Sequence, residues 1–321
     1  MEGLLAYAVF FATLVGIYGL LAVGLNVQWG YAGLFNIGIA AFFAVGAYTS
    51  AIVTGPASAD HLGGFGLPLA AGWLAAAAVA ALLALVAGIA MVRLREDYLA
   101  IASIGIAEIV RLLLKNEEWL TNGVRGIGGI VHPWRDGGTA GAALYLGLVL
   151  AALAALWLLS ERLRRSPWGR AVRAQREDER AAMALGRDVA RLRLEAFVIG
   201  SAAMGLAGAA YAHFVGFISP EAFDPTYATF LVWVMLIAGG SGSNAGAILG
   251  TFVIWVVWSA TEYAVNLLPA ELTARGSALR LLLVGLVLEG ILLWRPRGLL
   301  PEPRSVDPAL TRGDGRPSPG G

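Results

Sequence analysis

Any chemistry this chain performs must come from a short inventory of residues. None of its 321 residues is cysteine, and the three histidines, His61, His132 and His213, are far apart in sequence. Without thiols there are no disulfides, no cysteine-based metal sites and no thiol nucleophiles. The histidines lack an HExxH-like spacing, so no zinc site is expected. No clustered His/Asp/Glu set and no Ser/His/Asp arrangement is legible, so no catalytic residue, metal or cofactor is assigned. The run Gly239-Gly240-Ser241-Gly242-Ser243-Asn244 lacks both the Gly-Lys-Ser/Thr ending and the preceding soluble strand of a phosphate loop, which argues against nucleotide binding there. What remains is a set of polar side chains within apolar stretches: Asn26, Gln28, Asn36, Glu108, Arg111 and Asn244. In a membrane such groups need partners or mark a pathway.

Glu108 and Arg111 are the sharpest case. A lone charge at the bilayer centre costs about 2.5 to 3.5 kcal/mol on insertion scales, so the two are expected to pair. Their i,i+3 spacing puts both on one helical face. A pair shielded from lipid should face the bundle interior, with a structural role favoured over direct contact with a permeant. Asn26 and Asn36 lie in a glycine-dense stretch, Gly24 to Gly38. Two readings stay open for it: a tight turn with close helix packing, or direct contact with a permeant.

One polar island interrupts the apolar chain, residues 161 to 195. It holds ten of the 23 Lys+Arg, all arginine, and the positive-inside bias places it in the cytoplasm. Pro167 and Gly169 break the chain ahead of an expected helix of about four turns from Arg170 to Leu185, with Gly186 in the C′ position behind it. The first half of that helix is charged, with Arg170, Arg173, Arg176 and the acidic cluster Glu177, Asp178, Glu179. The second half, Ala181, Ala182, Met183, Ala184 and Leu185, is small and apolar. An apolar run on a solvated loop fits a knob that docks as a helix into a partner's groove. The competing reading is a basic loop that holds anionic lipid.

These residues must be positioned by membrane helices. The chain is 58% hydrophobic and 14% charged with mean hydropathy +0.71, too apolar for a water-soluble domain of this length. Apolar windows long enough to span fall near 4–26, 33–54, 68–92, 98–115, 141–160, 194–217, 226–240, 244–265 and 278–294. The expected fold is therefore an all-α polytopic bundle of about nine spans, with eight to ten defensible. Residues 1–300 form the transmembrane domain, and 301–321, rich in Pro, Gly, Arg and Asp, form a disordered tail. With the island inside, alternation puts Arg93, Arg95, Arg295 and Arg297 inside too, the N-terminus outside and the C-terminus in the cytoplasm. The N-terminal run has no basic n-region or cleavage site, so the first span is expected to be retained. The net charge of +1 gives no reason to expect nucleic acid as a partner.

Several blocks carry a resemblance. The run Glu179, Ala181, Ala182, Gly186 resembles the EAA-type loop of ABC importer permeases, and Gly169-Arg170-Ala171 through Glu179 is similar to its form in branched-chain amino acid permeases of the LivM type. So are Gly24-Leu25-Asn26 with Gly30-Tyr31-Ala32-Gly33, Asp97-Tyr98-Leu99-Ala100-Ile101, Glu108-Ile109-Val110-Arg111-Leu112, Phe217-Ile218-Ser219-Pro220-Glu221 and Arg295-Pro296-Arg297-Gly298-Leu299. Thr121-Asn122-Gly123 to Ile127 resembles a further loop, with Asn122 in place of a usual glycine. The blocks keep their order from about residue 20 to 300. The resemblance implies a prokaryotic inner-membrane permease subunit. It also implies a second, usually unlike, permease subunit, two separate ATPase subunits gripping the 170–186 helix, and an extracytoplasmic solute-binding protein. Branched-chain amino acids are the implied solute, with urea and short amides carried by close relatives.

Two other functional classes make demands that the sequence does not meet. A self-sufficient secondary transporter or channel needs an ionisable relay, and Glu108, Glu262 and Glu289 are scattered. A membrane enzyme needs a catalytic cluster, and none is visible.

Overall fold

The computed structural model describes residues 2–58, 60–134, 137–266 and 276–302. They form twelve helices: α1 Glu2–Leu25, α2 Ile39–Thr54, α3 Leu69–Met91, α4 Glu96–Asn116, the single turn α5 Glu118–Thr121, α6 Gly138–Arg165, α7 Pro167–Glu177, α8 Glu179–Ala184, α9 Val189–Val215, α10 Pro225–Gly239, α11 Asn244–Asn266 and α12 Gly276–Trp294. Each of the nine apolar windows is occupied by a helix. Six of the helical segments, beginning at Gly3, Leu69, Gly138, Val189, Pro220 and Asn244, are long and apolar enough to cross a membrane. The other three, α2, α4 and α12, run between the same two ends of the bundle. At 16 residues, α2 is about 24 Å long, shorter than the hydrocarbon layer of about 30 Å. It is enclosed by its neighbours on most of its surface, so neither end has to reach the headgroups.

Two boundaries differ from the sequence expectation. The first helix does not stop at residue 26 but widens into a π-helical turn, Asn26–Tyr31. The second begins at Ile39 rather than near Gly33, because Gly33 has a positive φ of 68° and the chain from it to Gly38 is not helical. Side chains take over its backbone hydrogen bonds: the Ile37 amide donates to Ser103 Oγ (2.9 Å) and the Gly38 amide to Asn36 Oδ1 (2.7 Å).

The connections sort into two groups. At one end the Arg193 guanidinium donates to the Leu94 carbonyl, Gly242 N–H to Asn26 Oδ1, and the Leu299 and Leu300 amides to Ala238 and Gly239. The 161–195 island, Arg93, Arg95, Arg295 and Arg297 therefore share this arginine-rich end. At the opposite end a two-residue strand β1 (Ile127–Gly128) pairs antiparallel with β2 (Phe217–Ile218), and Leu62 N–H donates to the Trp119 carbonyl. Asn122 stands here in the left-handed region with φ 61°. Asparagine tolerates that conformation better than other non-glycine residues, which explains how it replaces glycine in this loop. Of the expected tail 301–321, all beyond Glu302 lies outside the described residues.

The bundle is centred on α9, whose Gly200, Ser201, Ala203, Gly205, Ala207, Gly208 and Ala209 are all buried. Small side chains let helices approach to backbone contact, which is how membrane helices gain packing without a hydrophobic drive between them. A Cβ on Gly208 would collide with the Phe43 carbonyl of α2, and one on Gly46 with the Gly205 carbonyl of α9. His213, buried on α9, accepts from or donates to Ser50 Oγ (2.9 Å) through Nε2, while Nδ1 lies 2.7 Å from the Val131 carbonyl. A carbonyl only accepts, so Nδ1 carries the proton and Nε2 takes the serine hydrogen. The histidine is thus satisfied within the chain.

Candidate functional site

The polar island folds by its own local signals. Ser166 caps α7, its Oγ accepting from Gly169 N–H at 3.2 Å with Pro167 in the first turn. Asp178 caps α8 through Ala181 N–H at 3.0 Å, and Asp188 caps α9 through Arg191 N–H at 3.0 Å. One continuous helix from Arg170 to Leu185 was expected; the structure has two, because Asp178 turns extended to act as an N-cap. Gly186 is the C′ residue as expected, with φ 75°. Gly186 N–H donates to Met183 and Arg187 N–H to Ala182, the pair of bonds that closes a Schellman motif.

Within the island, side chains divide by direction. The inner side of α7 buries Gly169, Val172 and Gln175. Arg176 donates to the Gly30 carbonyl in the π-turn, to Glu177 Oε1 (2.7 Å) and to Glu302 Oε2 (2.9 Å). Burial pulls the Arg176 guanidinium down, but hydrogen bonds and charge from Glu177 and Glu302 outweigh it and hold it above the usual arginine value. Arg173 reaches Glu302 Oε1 at 3.5 Å and the Arg164 carbonyl at 3.1 Å, and Arg170 the Arg165 carbonyl at 3.0 Å. Glu179 lies 3.8 Å from Arg193. Ala182, expected on the free docking face, is instead 4% exposed within its own chain. The outward apolar residues are Ala181, Ala184, Met183 and Leu185, the last 82% exposed.

A second cluster lies beneath α7. Asn26 donates through Nδ2 to Asn244 Oδ1 (2.9 Å) and accepts Gly242 N–H (2.8 Å). Tyr31 donates to the same Asn244 oxygen (2.8 Å), and Asn244 Nδ2 approaches Glu161 Oε2 at 3.4 Å. Glu161 is gripped twice by Arg164 and once by Arg165. Gln28 donates to the Phe197 carbonyl (2.8 Å) and Ser201 Oγ (3.0 Å) and accepts from Asn36 Nδ2 (2.8 Å), while the Asn36 carbonyl accepts from Trp233 Nε1 (3.0 Å). Asn26, Gln28, Asn36 and Asn244 are each 3% exposed or less. Their amides are spent on joining α1, α9, α10 and α11, which favours the turn-and-packing reading over contact with a permeant.

Glu108 and Arg111 do form an ion pair, with Nε–Oε2 2.9 Å and Nη2–Oε1 2.6 Å. They do not face the bundle interior, however. The Glu108 side chain is 43% exposed, and Arg111 also lies 3.9 Å from Glu221, which Lys115 meets at 3.3 Å. The residue that sequence reasoning missed is Glu302. It was assigned to the tail, yet its carboxylate binds α7, and only its spacing of five residues after Arg297 hinted that it could reach back. Among the described residues no group of three or more His, Asp or Glu is placed to hold a metal ion.

Comparison with known proteins fits this arrangement. A family model described as a branched-chain amino acid transport system permease component matches residues 7–292. The high-affinity branched-chain amino acid transport permease LivM of Escherichia coli K12 is 36% identical over 91% of this chain and 70% of its own length. A probable LivM of Methanocaldococcus jannaschii is 28% identical over 92% and 94%. The high-affinity branched-chain amino acid transport permease LivH of Escherichia coli K12 is 26% identical over 78% of this chain and 85% of its own length. No solved structure matches. With the family model covering nearly all of its helices, the chain belongs to the branched-chain amino acid transport permeases, a multi-pass membrane subunit of an ABC importer of the LivM type.

Proposed function

We propose that this subunit forms half of an ATP-driven import pathway for branched-chain amino acids, with the arginine-rich end in the cytoplasm. The N-terminus and the loop at Asn122 lie outside. A second, homologous permease completes the pathway, two ATPase subunits supply the energy, and an extracytoplasmic binding protein delivers the solute. The LivH and LivM relatives, both similar to this chain, support the second permease.

One observation carries the coupling role. A loop serving only to attract anionic lipid would leave its arginines on the surface. Here Arg173 and Arg176 turn inward to the π-turn and Glu302, while apolar Met183 and Leu185 face outward. An outward apolar knob rigidly tied to a break in a transmembrane helix is what a docked ATPase needs in order to move that helix. The buried amides of the Asn26–Asn244 cluster are neutral and satisfied, so they offer no proton relay for a self-powered transporter.

The test is reconstitution of the complete assembly in liposomes with leucine, isoleucine, valine and, for comparison, urea. ATP-dependent uptake of the three amino acids is expected. Uptake that persists without the ATPase subunits and follows a proton or sodium gradient would defeat the proposal. Orientation is checked separately: Arg180, exposed on α8, replaced by cysteine in this cysteine-free chain, should resist an impermeant thiol reagent in intact cells and react in opened ones.

A further inference from the structure

If Asn26, Gln28, Asn36 and Asn244 are spent on packing, the wall of the pathway lies elsewhere. The described surface holds an apolar groove of about 550 Å³ between α4, α10 and α12, lined by Phe35, Ile104, Thr229, Phe230, Trp233 and Leu288 among others. Its size falls in the range of small-molecule sites, about 300 to 1,000 Å³. Thr229 is buried there, and its hydroxyl has no hydrogen-bond partner among the described residues.

The groove does not stand alone. On α4, Ile104, Glu108, Arg111 and Lys115 follow at i, i+4, i+7 and i+11, so they form one stripe along the helix. Ile104 is in the groove; the charged residues lead from it toward the opposite end, where Glu221 joins them. Glu108 lies about midway along a 21-residue helix with its carboxylate partly exposed. Lipid is a poor neighbour for charges at that depth, and membrane proteins turn such groups toward protein or a water-filled cavity. The face that holds the groove is therefore not a lipid face. Glu108, Glu221 and the nearby Asp224 face Arg111 and Lys115, so both signs of charge alternate along the stripe, with one acid in excess.

We infer that this face is the subunit's wall of the permeation pathway, and that the groove receives the aliphatic side chain of a zwitterionic amino acid passing the charged stripe. This rests on the proposed function and deepens it. The alternating carboxylates and cations of the stripe suit a solute with one carboxylate and one ammonium, and the apolar lining of the groove suits a branched hydrocarbon rather than an amide or urea. Selection by such a groove acts through volume, where a methylene changes discrimination by about 10 to 200-fold.

Ile104 and Phe230 are 45% and 40% exposed, so both can be changed without disturbing the core. In the reconstituted complex, Ile104→Phe should narrow the groove and lower the leucine-to-alanine uptake ratio about ten-fold. Phe230→Ala should widen it and raise uptake of phenylalanine relative to leucine. The binding protein is the same in every preparation, so its own preference cancels in comparison with wild type. A second readout is water access. Ile104→Cys should react with a small hydrophilic methanethiosulfonate and be protected by leucine, whereas Leu150→Cys on α6, the least buried of the long apolar helices, should not react. If wild type imports leucine with ATP but both groove variants keep the wild-type ratios and Ile104→Cys is as silent as Leu150→Cys, the inference is overturned. If wild type shows no ATP-dependent leucine uptake, the proposed function falls and this inference with it.

Discussion

Replacing Leu185 by glutamate separates docking from folding. Leu185 ends α8 with 82% of its surface free, so it contributes little to the packing of its own chain. Fully burying a leucine is worth about 1.5 to 3 kcal/mol; with most of the side chain available to a partner, docking gains about 2 kcal/mol from it. Loss of that alone weakens the permease–ATPase contact about 30-fold. A glutamate must in addition be desolvated in an apolar groove without a counter-charge, a penalty of several kcal/mol. The total of about 4 kcal/mol or more corresponds to about 1,000-fold, enough to lose the ATPase during purification. The assay is co-purification with tagged ATPase, together with leucine uptake and the yield of monodisperse permease. Ala182→Glu is the contrast, because Ala182 is enclosed in its own chain and its glutamate should reduce the yield of folded permease itself. Normal co-purification and uptake by Leu185→Glu would refute the reasoning. So would an Ala182→Glu protein that folds in full yield and loses only the ATPase, since that would put Ala182 on the docking face.

Asn244→Leu should strand the Asn26 and Tyr31 donors that converge on its oxygen, at about 1 to 3 kcal/mol each, and a lowered thermal midpoint in detergent checks this. Gly208→Ala should destabilise by about 1 to 3 kcal/mol through overpacking against the Phe43 backbone, whereas Gly147→Ala on α6, where a Cβ meets nothing within 4 Å, should be neutral or slightly stabilising; equal midpoints would contradict the close α2–α9 approach. Glu108→Gln should fold within about 1 kcal/mol of wild type, because the pair it breaks is partly exposed, yet lower uptake. A collapse in folded yield that Arg111→Leu restores would return the pair to a purely structural role. Glu302→Gln should loosen the hold on Arg173 and Arg176 and reduce the ATP-driven rate while ATPase binding persists, a difference seen by comparing uptake with co-purification.

Much of the molecule is legible along the chain because the determining physics is local. Runs of apolar residues set the nine helical segments, and the segregation of arginines puts the connections in two classes. Ser166, Asp178 and Asp188 are side chains that cap helices, and Gly186 has the freedom to reach a φ of 75°. The i,i+3 spacing alone is enough to pair Glu108 with Arg111. Yet even local signals compete: Asp178 reads as part of a helix by continuity and acts as a cap, splitting α7 from α8.

What the linear pattern does not contain is direction. In the apolar run from Ala181 to Leu185 nothing distinguishes Ala182 from Leu185; the chain's own packing covers the first and leaves the second free. Asn26 and Asn244 are 218 positions apart, and only the approach of α1 to α11 turns two isolated amides into one satisfied pair. Glu302 reads as the start of a polar tail until the turn after α12 brings it onto Arg176. The depth of Glu108 is set by α4 alone, but its exposure is set by what fails to cover it. Hydropathy and capping depend on neighbours within a few residues and so belong to the sequence, whereas the faces that helices present to one another, to a partner or to a permeant depend on contacts across the whole chain, which only the tertiary structure decides.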